Sequence, residues 1–231
     1  MENLLLPSSI TFEQGDHANR GKLVVSPLFH GYGTTVGNAI RRVLLSSLNG
    51  GAVTSMKIKG AAHEFSAIPG IKEDGVEILL NVKQIRLKVF SAEPVRLHLK
   101  VKKAGAVTAG DIEANAEVEV MNKDLLLFNV TDAKVGVDIE FIAEQGRGYV
   151  PVEERDIKNA ELGTIAVDAI YTPVVDVGYV VEFTRVGDIT NYEKLTIDIE
   201  TDGTISPKEA SVQATNILMD HFRLIVDSLG A

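Results

Sequence analysis

The sequence contains no cysteine and no tryptophan, and aromatic residues make up only 6% of it. Without cysteine, the chain can form neither a disulfide framework nor a thiolate metal site. It also lacks any run of about 18 apolar residues, the length that a membrane-spanning helix needs. Its first residues, MENLLLPSSITFE, have neither the basic start nor the long apolar core of a secretory signal. These absences favour a cytoplasmic protein.

Positive charge is also scarce, since 23 Lys and Arg residues stand against 32 Asp and Glu residues, for a net charge of −9. Such a chain is repelled by nucleic-acid phosphates unless its basic residues cluster. The longest basic cluster, KVKK at residues 100–103, ends an alternating segment and is typical of a solvated strand end. Direct binding to DNA is therefore not expected.

Alternation of apolar and polar residues is the dominant pattern in the chain. It is clearest at residues 95–101, 135–141 and 195–200, and it predicts half-buried strands of antiparallel sheets. A short helix is expected at about residues 72–82, and two longer helices lie near the chain ends. The length of 231 residues favours two domains, or one domain with a large insertion.

The first long helix is predicted within GYGTTVGNAIRRVLLSSLNGG, residues 31–51. Thr34 or Thr35 would cap its start, and the glycines after Asn49 would end it. One broad face is apolar, and the opposite face carries Asn38, Arg41, Arg42 and Leu45. That opposite face is either a solvated surface with one stray leucine or a protein-binding surface.

The second long helix begins at Ser206-Pro207-Lys208-Glu209, a capping box with proline at the first helical position, and runs to about Leu229. Its apolar residues cover more than half of its circumference, so it needs burial on two sides. One side can pack on the sheet of the chain. The other side requires either more of the same chain or a second chain, and the pattern leaves both alternatives open.

No pattern of residues predicts catalysis. Gly31, Gly33 and Gly37 match neither the dinucleotide fingerprint nor a P-loop, although a helix N-terminus of this kind can bind an anion. The five histidines are isolated, and no serine lies in a nucleophile elbow. We therefore predict no catalytic residue, no metal site and no cofactor, which favours an assembly protein.

Two alternatives to an assembly protein remain open from the residues alone. The first is an enzyme that uses the glycine loop to bind a nucleotide or a phosphate. The second is a homodimeric α+β domain with an unrelated partner.

Several long blocks, taken together, resemble one protein family in the same order along the chain. They are GYGTTVGNAIRRVLLSSL at residues 31–48, HEFSAIPGIKEDGVEILLNVK at 63–83, GRGYVP at 146–151, and the segment from LGTIAVDAIY to TISPKEA at 162–210. These blocks resemble the N-terminal half of bacterial RNA polymerase alpha subunits.

The resemblance implies an α+β fold, in which a dimerisation domain of antiparallel sheet with two long helices is interrupted by an inserted β-rich domain. Residues 1–49 plus 168–231 would form the dimerisation and assembly domain, and residues 50–167 the insert. Members of this family usually continue through a flexible linker into a small DNA-binding domain, and the blocks above resemble only the part that precedes it.

The resemblance further implies a non-catalytic subunit of DNA-directed RNA polymerase, a nucleotidyltransferase complex. In transcription such a subunit forms a homodimer that is the assembly platform for the beta and beta-prime subunits. No direct DNA contact and no membrane contact are expected from this half.

Three sets of site residues follow. The resemblance implies that the first helix binds the beta subunit through Asn38, Arg41, Arg42 and Leu45. On the resemblance alone, the residues that would bind beta-prime are Lys83, Val167, Val174 and Lys194. The dimer interface is expected on the wide apolar faces of the two long helices, at Val36, Ile40, Val43, Leu44, Ile217, Leu218, His221, Phe222 and Ile225.

Overall fold

A computed structural model describes residues 6–132, 136–155 and 161–230. Its helices are α1 (Tyr32–Ser46), α2 (Gly75–Val82) and α3 (Pro207–Leu229). Its strands, in chain order, are β1 (Ser9–Gln14), β2 (Arg20–Leu28), β3 (Asn49–Ile58), β4 (Leu87–Val89), β5 (Val95–Val101), β6 (Gly105–Thr108), β7 (Val118–Val120), β8 (Leu126–Val130), β9 (Val137–Arg147), β10 (Tyr149–Val150), β11 (Thr164–Ala166), β12 (Ala169–Ile170), β13 (Val174–Val186) and β14 (Ile189–Thr201).

The chain divides into two compact units, and the antiparallel sheets with helices confirm the predicted α+β class. The outer unit comprises the chain up to Leu48 and the chain from Thr172 onward, and the inner unit comprises Asn49–Tyr171. Two short stretches differ from the predicted boundaries. Asn49 begins β3, and β12 pairs with β10, so Asn49 and residues 168–171 belong to the inner unit.

The outer unit is a four-stranded antiparallel sheet in the order β1-β2-β14-β13. Helix α1 packs on β13 and β14, and α3 packs on α1 and β2. The predicted alternation is confirmed in β14, where Leu195, Ile197 and Ile199 are buried and the residues between them are half-buried. These side chains form a core together with apolar residues of both helices.

Helix α1 begins and ends earlier than its sequence predicts. Gly31 is its N-cap, with φ of 86°, a left-handed conformation that glycine adopts readily. The glycines expected at its C-terminus lie in β3 instead. A Cβ on Gly51 would lie 2.6 Å from Cγ2 of Val89, so glycine is needed there for close approach of β4 rather than for ending a helix.

Helix α3 begins as predicted. The Ser206 hydroxyl accepts a hydrogen bond from the N–H of Glu209 at 3.2 Å, and the Glu209 carboxylate accepts one from the N–H of Ser206 at 3.2 Å. The first turns of α3 are packed, with Ala210, Ser211 and Ala214 buried. None of the described helices is long and apolar enough to span a bilayer.

The inner unit has a larger sheet in the order β5-β9-β3-β4-β7, with β11 added to β3, and two-stranded sheets β6-β8 and β10-β12. The strand predicted at 135–141 begins at Val137 in the structure, and Val135 lies outside the described residues. Helix α2 begins later than predicted, because Asp74 is its N-cap and accepts a hydrogen bond from the N–H of Glu77 at 2.8 Å. The largest fully buried side chains of this unit include Met56, Ile78, Leu99, Phe128 and Phe141.

Candidate functional site

The glycine turn before α1 surrounds a carboxylate of the same chain. Glu193 of β14 is only 5% exposed, and its two oxygens accept hydrogen bonds from the N–H groups of Gly31 and Gly33, each at 2.8 Å. His30 Nδ1 lies 3.3 Å from the same carboxylate. Helix N-termini carry unpaired N–H groups and a partial positive charge. Glu193 therefore supplies the anion that the first turn of α1 lacks.

This arrangement bears on the alternative in which the loop binds a nucleotide. A phosphate at the same N–H groups would have to displace a buried carboxylate or lie beside its negative charge. The geometry therefore argues against the phosphate-binding alternative for residues 31–37. Among the residues that the structure describes, no three His, Asp or Glu side chains are grouped so as to hold a metal ion.

Two glycines allow α1 to lie very close to the sheet. A Cβ on Gly33 would be 2.8 Å from both Oε2 of Glu193 and Cγ1 of Val181. A Cβ on Gly37 would be 2.8 Å from Cδ2 of Tyr179. Ordinary Cβ contacts are longer, so any larger residue at either position would push the helix away from β13 and β14.

The outward face of α1 contains the four residues predicted to bind the beta subunit, but they differ in their surroundings. Asn38 and Arg42 are exposed, whereas Leu45 is half-buried against the core. Arg41 is exposed too, yet its Nε donates a hydrogen bond to the backbone oxygen of Val177 at 3.0 Å. Within the described part of the chain, the Arg42 side chain makes no hydrogen bond or ion pair. Arg42 is thus the arginine left available for a partner.

The inward face of α1 carries four of the residues predicted at the dimer interface. Leu44 is 0% exposed, and Ile40 is also buried, both within the core of the outer unit. Val36 and Val43 are partly buried against the same core. Ile40 and Leu44 therefore stabilise the core of their own unit and offer almost no side-chain surface to a second chain.

Helix α3 changes character along its length. Ile217 and Leu218 are partly buried against the core, whereas every residue from His221 to Gly230 is exposed, including Phe222 and Ile225. Six apolar side chains of this second half are between 53% and 82% exposed: Met219, Phe222, Leu224, Ile225, Val226 and Leu229. We call these six residues the α3 apolar surface.

The residues expected to contact beta-prime fall into two kinds. Val167 of the inner unit and Val174 of the outer unit are 0% and 2% exposed, so their side chains lie in the cores of their units, and their contact with beta-prime stays a prediction. Lys194 is accessible and lies 3.6 Å from the carboxylate of Glu182 on β13. Lys83, at the end of α2, is partly accessible.

Lys83 belongs to a small polar cluster that the sequence did not indicate. Its Nζ lies 2.9 Å from Oδ2 of Asp168 and 5.5 Å from the centre of the Tyr149 ring. The other oxygen of Asp168 accepts a hydrogen bond from the N–H of Val152 at 2.9 Å. The hydrogen bond from Lys83 holds the pKa of Asp168 below its usual value, and the same bond raises the pKa of Lys83.

Comparison with known proteins identifies the family. Residues 56–172 match the RNA polymerase Rpb3/RpoA insert domain, and residues 148–222 match the RNA polymerase Rpb3/Rpb11 dimerisation domain. The DNA-directed RNA polymerase subunit alpha of Oceanobacillus iheyensis is 47% identical over 220 residues, which are 95% of this chain and 70% of that protein. The subunit alpha of Alkaliphilus metalliredigens is 46% identical over 221 residues, with the same coverage.

The chain belongs to the bacterial RNA polymerase alpha-subunit family. As a member of the alpha-subunit family it is a subunit of DNA-directed RNA polymerase, which confirms the resemblance seen in its sequence. The insert match covers most of the inner unit. The dimerisation match includes β13, β14 and α3 as far as Phe222, which supports a role in the assembly of polymerase subunits.

Proposed function

We propose that this chain is a non-catalytic scaffold that forms a homodimer and binds the beta and beta-prime subunits of RNA polymerase. The α3 apolar surface is the observation that carries the proposal. Its six large side chains lie together on one half of one helix, and they are exposed in the single chain. Soluble proteins rarely leave an apolar patch of this kind uncovered, and such patches are typical of protein interfaces.

A second copy of the chain is the proposed cover for this surface. The match to a dimerisation domain extends into this helix, and an interface between two copies repeats the same patch on both sides. The proposed interface comprises the α3 apolar surface with His221, Ile217 and Leu218, and the partly buried Val36 and Val43 of α1. Ile40 and Leu44 are excluded because they have almost no accessible surface.

The outward face of α1 is the proposed binding surface for the beta subunit. Arg42 is exposed and free to form bidentate hydrogen bonds with a partner. Asn38 is exposed on the same side. For beta-prime, the accessible members of the predicted set are Lys83 in the inner unit and Lys194 in the outer unit. Both copies in a homodimer carry these surfaces, and the two large subunits would occupy them unequally.

Co-purification of the beta subunit with Arg42→Ala tests this proposal. We expect the variant to remain a dimer and to retain about 30-fold less beta, because an arginine at the centre of an interface can contribute about 2 kcal/mol. Lys22→Ala, an exposed cation on the opposite side of the outer sheet, is the matched control. Equal recovery of beta with Arg42→Ala and wild type would contradict the proposed surface.

A further inference from the structure

Helix α1 is tied to the β13–β14 hairpin at two separate points. At its first turn, the buried carboxylate of Glu193 accepts hydrogen bonds from Gly31 and Gly33. In its third turn, Arg41 Nε donates a hydrogen bond to the oxygen of Val177. Between these points, Gly37 lies in close contact with Tyr179 and Leu195. The two bonds to Glu193 fix the N-terminus of the helix, and the bond from Arg41 opposes rotation of the helix about its axis.

These contacts determine where Arg42 points. Consecutive residues on an α-helix are separated by about 100° around the axis. With Arg41 held against β13, Arg42 can project only away from the sheet, where it is exposed. A docking site on rigid, well-supported residues binds more tightly than one whose geometry must be selected on binding.

We propose that Glu193 is the main positioning residue for the outward face of α1, which is the proposed docking face for beta, and that Arg41 is the second positioning residue. The two adjacent arginines then have different roles, since Arg41 bonds within the chain and Arg42 contacts the large subunit. This inference rests on the proposed function of α1 as a docking helix. It adds that the affinity of this face depends on a buried carboxylate that the partner does not touch.

Glu193→Gln is the first test, because glutamine keeps the size of the side chain but replaces one acceptor oxygen with an amide donor. That donor would face a backbone N–H, so one of the two bonds to the glycines is lost. We expect faster hydrogen exchange at Gly31 and Gly33, and beta binding weaker by about threefold to tenfold. Glu200→Gln, which removes an exposed carboxylate from the same strand, should change neither quantity.

A double-mutant cycle separates positioning from general stability. In an Arg42→Lys background, which weakens the contact itself, Glu193→Gln should lower beta binding by less than about twofold, because the group that it positions is already impaired. If Glu193→Gln lowers beta binding by the same factor in the Arg42→Lys background as in the wild type, Glu193 acts only through stability. That result would overturn the inference. Wild-type binding by Glu193→Gln alone would overturn it as well.

A second variant covers the case in which Glu193→Gln does not fold. Gly33→Ala would bring a methyl group within 2.8 Å of the Glu193 carboxylate, so we expect a similar loss of beta binding with the dimer retained. Unchanged binding by a folded Gly33→Ala dimer would contradict the inference. If Arg42→Lys and Arg42→Ala both bind beta like wild type, the proposed docking face itself is wrong, which is a different failure.

Discussion

The apolar faces of α1 and α3 are similar in composition, but they differ in what covers them. Leu44 of α1 has no exposed surface, because the sheet and α3 enclose it. Phe222 of α3 is 60% exposed in the same unit. One face therefore stabilises the fold of a single chain, and the other is available to a second chain. Substitutions on the apolar face of α1 should therefore lower the free energy of unfolding, whereas substitutions on that of α3 should weaken dimerisation.

The largest effect is expected for Phe222→Asp. A carboxylate at the centre of the α3 apolar surface would be buried without a partner in the dimer, which costs several kcal/mol. We expect a monomer or an aggregate by light scattering, with the secondary structure of the outer unit retained in the monomer. Asn216→Asp, which adds the same charge to the polar side of α3, is the control and should remain dimeric. A Phe222→Asp dimer as stable as wild type would remove the distinction between the two helices.

The second prediction concerns the covered face. Leu44→Ala leaves a cavity in the core of the outer unit, so the free energy of unfolding should fall by about 2–5 kcal/mol. The loss should be independent of protein concentration if the site lies within one chain, as chemical denaturation can show. Leu45→Ala, at the half-buried neighbour, should cost less. Equal losses at the two leucines would contradict the assignment of Leu44 to the core.

The smallest effect is expected at a site on neither apolar face. Asp168→Asn removes the ion pair with Lys83, and the loss at neutral pH should be about 1 kcal/mol because both groups are partly solvated. The pKa of Asp168 is lowered in the folded state. The ion pair therefore stabilises the fold above the ordinary pKa of about 3.9, and this stabilisation disappears as pH falls through the folded pKa.

Urea unfolding of Asp168→Asn at several pH values measures this dependence. The difference from wild type should shrink as the solution is made acidic, whereas exposed Asp124→Asn should behave like wild type throughout. A difference that stays constant down to pH values well below 3.9 would show that the ion pair is not its source.

The sequence predicted the start of α3 and the strand alternation well, because both depend on neighbouring residues. The capping box at Ser206 and Glu209 is complete within four residues, and it is present in the structure. The bounds of α1 were predicted less well. Its N-terminus depends on Glu193, which is 162 residues away from Gly31 along the chain, and no local pattern reports that contact.

A signal for Glu193 was nevertheless present. Glu193 lies two residues before Leu195, on the face of β14 that Leu195, Ile197 and Ile199 bury. A charged residue therefore stands at a buried position of the strand. Such a residue requires a partner, and the glycine turn was an available one. By contrast, the helical periodicity of apolar residues does not distinguish a helix face covered by its own chain from one covered by a second chain. For this reason Leu44 and Ile225 were both predicted to lie at the dimer interface.

Sedimentation equilibrium measures whether a second copy of this chain covers the α3 apolar surface. We expect a species with twice the chain mass of 24.9 kDa, which dissociates on dilution and is absent in Phe222→Asp. A monomer at every concentration that can be measured, with α3 folded, would contradict it.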